Sequence, residues 1–191
     1  MKRLPLLPTL LVLAAVLVMV GLGVWQLRRA DEKQALLAEL SAAQGLPPVT
    51  WPAVPVPGDL PLFRRSSLTC LSVADWRATS GRSRAGEPGW VHIASCRTGA
   101  EGPGAQVVAG WSRDAERPRW AGGRVAGVIA PDSQALIRLV ADEAPAGLQP
   151  AARPSLDDIP NNHMAYAVQW FAFAVIAVVV YGLATRRRGH R

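Results

Sequence analysis

The sequence predicts a membrane-anchored α+β protein in which two transmembrane helices flank a small extracytoplasmic domain, an antiparallel β-sheet or a partly closed barrel. Three observations predict it. Two helix-length apolar runs stand near the ends of the chain, one uncharged from Leu4 to Trp25 and one from Ile159 to Thr185 whose only titratable nitrogen base is His163. Each is long enough to cross roughly 30 Å of hydrocarbon. Between them lie short segments of period two broken by Gly, Pro and Ser clusters, the pattern of half-buried strands joined by tight turns. Finally, half of the 191 residues are hydrophobic, yet outside the two runs there is apolar sequence for only one small core.

The charge distribution supports this reading and removes another. A formal net charge of +7 suggests a polyanion partner until it is mapped. Lys2, Arg3, Arg186, Arg187, Arg188 and Arg191 account for six of the 21 basic residues, leaving fifteen against fourteen acids in the middle of the chain. The basic excess marks the two ends, and nucleic acid is not an expected partner.

Taken in order, residues 1–3 form a cytoplasmic tail and residues 4–27 the first transmembrane helix. Its length and its run Val20-Gly21-Leu22-Gly23-Val24-Trp25 suit an uncleaved anchor better than a signal peptide with a small-residue cleavage site. Basic tails tight against both spans place both termini in the cytoplasm and the middle on the far side. Arg28, Arg29 and Lys33 oppose that orientation and Asp31 and Glu32 offset them. A span beginning so close to Met1 leaves no room for an amphipathic presequence, so a bacterial inner (cell) membrane is expected. Residues 28–44, free of Gly and Pro, continue the helix as a stalk to about Ser41. Prolines 47, 48, 52, 55, 57 and 61 make residues 45–61 a stiff linker or strap. The β-rich domain occupies residues 62–143, with strands expected at Phe63 to Ala74, Trp90 to Cys96, Ala105 to Trp111, Gly123 to Ala130 and Ala135 to Val140, the last alternatively a short helix. Residues 144–162 read as a connector, 163–185 as the second transmembrane helix and 186–191 as its basic cytoplasmic tail.

The middle domain offers little for catalysis. It has no nucleophile elbow, phosphate-binding glycine loop, CxxC pair or metal-binding histidine spacing. His92 is a lone histidine on a strand, and Asp157-Asp158 suit the positive end of a following helix. The protein is expected not to be an enzyme. In an oxidising compartment Cys70 and Cys96, the two cysteines, are candidates for a disulfide; the alternative is two buried thiols.

The informative residues sit at the mouth of the second span. On a helix His163, Tyr166, Ala167, Trp170 and Ala174 share one stripe, with Phe173 beside it. One reading is an interfacial aromatic belt, with Asn161 or Asn162 as N-cap. The other is a metal ligand: a neutral imidazole above aromatic rings and alanines that accept a porphyrin. His190 lies 27 residues further on, about 40 Å along a helix, and cannot bind the same iron. His92 or another protein would supply the second axial bond.

Two motifs decide between these readings. Pro160-Asn161-Asn162-His163-Met164-Ala165-Tyr166-Ala167-Val168-Gln169-Trp170-Phe171 closely resembles the second-helix signature of the surfeit-locus family of cytochrome c oxidase assembly factors. Gly23-Val24-Trp25-Gln26-Leu27-Arg28-Arg29-Ala30-Asp31-Glu32-Lys33 resembles its first-helix signature. Val108-Ala109-Gly110-Trp111 is similar to the family's Arg-Gly-Trp strand with alanine in place of arginine, and the arginine-glycine block that precedes it in the family is not evident around Arg64-Arg65. The resemblance implies respiratory-chain biogenesis, a chaperone-like factor that binds haem a and presents it to the oxidase catalytic subunit. Its implied partners are that subunit, the haem a synthesis machinery and membrane lipid. It implies His163 as the axial ligand of haem iron, with Trp25, Gln26, Asn162, Tyr166 and Trp170 around the cofactor. The alternatives are a haem-free scaffold docking oxidase subunits and, less favoured, a membrane-tethered enzyme.

Overall fold

In a computed structural model, which describes residues 6–145 and 147–189, the chain forms two compact units. One contains the residues up to Leu37 and those from Ile159 onward; the other is Ala38–Asp158. Lys2, Arg3, His190 and Arg191, to which the sequence assigned tail positions, lie outside the described residues.

The first unit is helical. Helix α1 runs unbroken from Leu6–Gln44, so the predicted span and stalk are one helix, and α2 covers His163–Gly189. Both are long and apolar enough to cross a membrane by length and composition. They run antiparallel, since Thr9 Oγ1 meets Tyr181 Oη at one end and Gln26 meets His163 at the other.

The second unit is a seven-stranded sheet: β1 (Val49–Thr50), β2 (Arg65–Cys70), β3 (Ser72–Arg82), β4 (Pro88–Arg97), β5 (Ala105–Ser112), β6 (Gly123–Asp132) and β7 (Leu136–Ala141). The spatial order is β1-β2-β6-β7-β5-β4-β3. The predicted antiparallel sheet is therefore corrected to a mixed one, open at its edges, because β1 pairs with β2 and β5 with β7 in parallel. The reason is topological. Asp132 turns β6 back into β7, β2 already occupies the other side of β6, and β7 then meets β5 running the same way. Period-two patterning fixes which face is buried but carries no sign for strand direction.

Two other expectations change. The single strand at Phe63 to Ala74 breaks at Leu71, whose N–H donates to Arg97 O, and a longer edge strand β3 continues through the polar stretch to Arg82. That stretch reads as loop because an edge strand with one wet face needs little apolar sequence. The proline-rich strap and the connector are also built into the domain. Val49–Thr50 adds a strand beside β2 and Trp51 enters the core. Trp111 and Gln149 exchange two backbone hydrogen bonds, and Ala151 is buried. Gly110 makes this approach possible, since a Cβ there would stand 2.8 Å from Gln149 O.

Apolar residues cover the sheet on both sides. Ala94, Val107, Ile129 and Leu139 belong to one core; their alternating neighbours Ile93, Val108, Ala130 and Val140 belong to the other, which Ala151 helps to close. Two ties draw together strands that are not neighbours in the sheet. Cys70 of β2 and Cys96 of β4 form a disulfide with Cα atoms 5.2 Å apart. Closing a loop of 26 residues' separation stabilises a domain by about 3.5 kcal/mol. The second tie is Asp132, whose side chain is fully buried. Its Oδ2 accepts from Arg77 of β3 at 2.8 Å, and its Oδ1 accepts the Gln134 and Ala135 N–H groups. Burial alone would raise this carboxyl, but those hydrogen bonds and the Arg77 charge outweigh it and hold Asp132 below the ordinary carboxylate value.

Asp132→Ala is expected to cost about 3 kcal/mol, because it leaves Arg77 and Arg138 beside an empty buried site. With its folded-state pKa depressed, Asp132 contributes stability that is complete above the ordinary value of 3.8 and is lost as pH falls below it. Urea midpoints followed by tryptophan fluorescence should therefore drop on acidification in the wild type and change less in Asp132→Asn.

Candidate functional site

The site is built on a seam with regular spacing. On α1 the residues turned from solvent include Thr9, Val12, Val16, Met19, Gly23, Gln26 and Ala30, with Leu22 and Leu27 beside them; on α2 they include His163, Ala167, Trp170, Ala174, Ala177 and Tyr181, with Phe171 beside them. Steps of three and four residues are the repeat of two helices that stay in contact along their length. Most seam positions are small or polar, and Leu and Val populate the outward faces. In an apolar solvent that is the expected division, since helices associate there by close packing and hydrogen bonding rather than by hydrophobic burial. At Gly23 the helices approach closely: a Cβ on it would stand 2.7 Å from the Phe171 ring. Gly21, the other glycine of this run, has open space around it.

One turn beyond Gly23 on the same face, Gln26 reaches across to His163, with Oε1 2.8 Å from Nδ1. Asn162 precedes the helix as its N-cap, and its carbonyl accepts the Tyr166 N–H at 3.2 Å. Trp25 and Tyr166 face outward, each 51% exposed. Trp170 is half-buried and meets Phe173 edge to face, with ring centroids 6.2 Å apart.

Of the residues singled out from sequence, Gln26 and His163 are in direct contact, Trp170 shares their seam and Trp25 and Tyr166 lie on outward faces. The expected stripe is thus divided: Tyr166 and Phe173 lie off the face that carries His163, Ala167 and Ala174. The alanines cannot serve as an open shelf for a porphyrin. Ala167 is 1% exposed, and the seam against α1 already occupies that surface. Thr9, Phe171 and Tyr181 escaped sequence reasoning; the three-and-four spacing of small and polar residues is the signal that would have found Thr9 and Tyr181, and nothing in the sequence marks Phe171 as the ring that packs on Gly23.

His92, the residue considered for a second axial bond, lies within the sheet domain. It is 1% exposed, its Nε2 lies 2.7 Å from Ser112 Oγ, and that hydroxyl donates to Asp114 O, so Nε2–H donates to this serine and is not a base toward it. Burial lowers its pKa, with the Asp114 carbonyl and carboxylate opposing. Asp157 lies in a short 3-10 turn, Leu156–Asp158, where it engages Ser155. Among the described residues no group of three or more His, Cys, Asp or Glu side chains could hold a metal ion.

A pair of close-packed apolar helices with a hydrogen-bonded histidine at its mouth, with a mixed β domain in the connection between its helices, defines a class of two-helix protein compatible with two membrane passes. The model of the SURF1 family matches residues 13–175, which takes in most of α1, the whole sheet and the opening turns of α2 that carry His163 and Trp170. The chain belongs to the SURF1 family. That membership is consistent with a role in cytochrome oxidase assembly, the family being one of assembly factors and not typically catalytic. No curated protein matches the chain significantly.

Gly23→Leu is expected to drive Phe171 aside and separate the helices. A Thr9→Cys/Tyr181→Cys pair bridged by a short bis-maleimide reports this. Cross-linking should be efficient with Gly23 and fall several-fold with leucine, whereas Gly21→Leu should leave it unchanged.

Proposed function

We propose that this protein is an assembly factor for haem-copper cytochrome c oxidase that binds haem a as cargo and presents it to the catalytic subunit, with His163 as an axial ligand. The observation that carries this reading is the His163 imidazole. It stands half-buried at the mouth of the helix pair with Nδ1 engaged by Gln26, and no hydrogen bond to Nε2 occurs among the described residues. A neutral imidazole with one free nitrogen suits one bond to haem iron. Contact with the ring then falls to the outward Trp25 and Tyr166, since the alanine face is covered. A single axial bond, from His163, suits transfer better than permanent retention.

The remaining parts of the proposal follow from the same plan. Two passes of a bacterial inner membrane, with both termini cytoplasmic and the β domain periplasmic, are supported by the two apolar helices and by a disulfide that an oxidising compartment favours. The partners are the oxidase catalytic subunit and the haem a synthesis machinery. A second reading, a haem-free scaffold that docks oxidase subunits, draws on the same outward rings: Trp25, Tyr166 and Phe173 are free to meet another membrane helix.

Full-length protein co-expressed with haem a synthesis and purified in detergent should carry a Soret band, and His163→Ala should lose it while inserting normally. No Soret band in either form, with recovery of oxidase subunits unchanged by His163→Ala, would favour the scaffold. Normal oxidase spectra in a strain lacking the protein would sink both readings.

A further inference from the structure

We propose that Gln26 is a positioning residue for His163. Its side-chain carbonyl selects the Nδ1–H tautomer, leaves Nε2 as the ligating atom, and so makes the hold on an iron-centred ligand depend on the pairing of the two helices. The tautomer assignment stands on its own; its consequence for iron rests on the function proposed above.

The chemistry of the contact is directional. Gln26 Oε1 has lone pairs and no proton, so across 2.8 Å the proton of the bond belongs to His163 Nδ1. A neutral imidazole carries one such proton. Nε2 therefore holds the lone pair, the form an imidazole must take to bind a metal. Gln26 touches no cargo in this arrangement and acts through the ring it orients, as a carboxylate or carbonyl behind a metal-bound histidine does.

The placement of Gln26 adds a second consequence. It lies on α1, three residues after Gly23, and reaches His163 because the absent Cβ lets Phe171 and α2 come close. When Nε2 gives its lone pair to iron, the Nδ1–H proton becomes more acidic and its bond to Oε1 strengthens. That bond crosses between helices, so iron binding and helix pairing favour one another by the same factor in both directions. A partner that inserts between the helices would break the Gln26 bond and loosen the ligand at the same time, which gives this small protein a way to release cargo on docking.

The experiment uses full-length protein labelled with 15N-histidine in lipid nanodiscs, with ferric protoporphyrin IX as the probe. The chain has three histidines, and His163→Ala identifies the third spectrum by subtraction. Without haem, His163 is expected as the Nδ1–H tautomer in wild type and as a tautomer mixture in Gln26→Leu. Haem titration should show affinity falling about 10–100-fold in Gln26→Leu. Gln26→Glu, which accepts and does not donate, should keep the Nδ1–H form and bind at least as tightly as wild type. An Nε2–H form in wild type, or a Gln26→Leu protein indistinguishable from wild type in tautomer and affinity, overturns the assignment. So does a Gln26→Glu protein that behaves like the leucine variant. Equal haem binding by wild type and His163→Ala overturns the ligand reading instead, and the haem-free tautomer tells that failure from failure of the Gln26 assignment.

Discussion

The helical unit depends on one hydrogen bond, from the His163 ring to the Gln26 side chain. Both groups are half-buried, and a side-chain bond between residues on different helices ties the helix register. Thr9 and Tyr181 do the same at the opposite end. From Gln26 back to Thr9 is about 26 Å at the rise of an α-helix, close to the thickness of a hydrocarbon core. The seam between these two polar contacts combines Gly23, Ala167, Ala174 and Ala177 with larger residues such as Met19 and Trp170. The glycine at 23 is a condition of the hydrogen bond, because a Cβ there would meet the Phe171 ring and put Gln26 out of reach.

The β domain solves a different problem with different means. It has few residues from which to build a core, and its sheet has two edges. Trp51 and Ala151, from the segments that lead into and out of the domain, are used to complete the two cores. The disulfide and the Asp132–Arg77 pair then tie strands that the hydrogen-bond ladder does not join. Alanine at position 109, where the family's strand has arginine, lies at an irregularity of register between His92 and Ile93 of β4. Gly110 next to it has a packing reason that can be stated: the return segment passes too close for a side chain.

What could be read from the sequence follows from what each pattern encodes. The two apolar runs fixed both helices because length and hydropathy are local. The strands at Trp90, Ala105 and Gly123 were legible from alternating or continuous apolar residues between glycines. Direction was not, since parallel pairing of β5 with β7 depends on which neighbour β6 has already taken. The edge strand through Asp75, Arg77 and Thr79 was hidden by its own polarity. At the candidate site, His163, Gln26 and Trp170 were visible as signature residues, but their division of labour was not. An alanine facing lipid and an alanine facing a helix are the same letter, and only the packed structure shows that Ala167 is covered and Tyr166 is free.

The functional reading narrows accordingly, from a broad aromatic platform to one imidazole whose chemistry its helix partner controls. Its central claim is that Gln26 and His163 are energetically coupled across the two helices, and a double-mutant cycle on helix association in bilayers measures that directly. Gln26→Leu, His163→Ala and the double variant should reveal a coupling of about 0.6 kcal/mol, the average found for hydrogen bonds between membrane helices. Additive effects of the two substitutions would contradict the account.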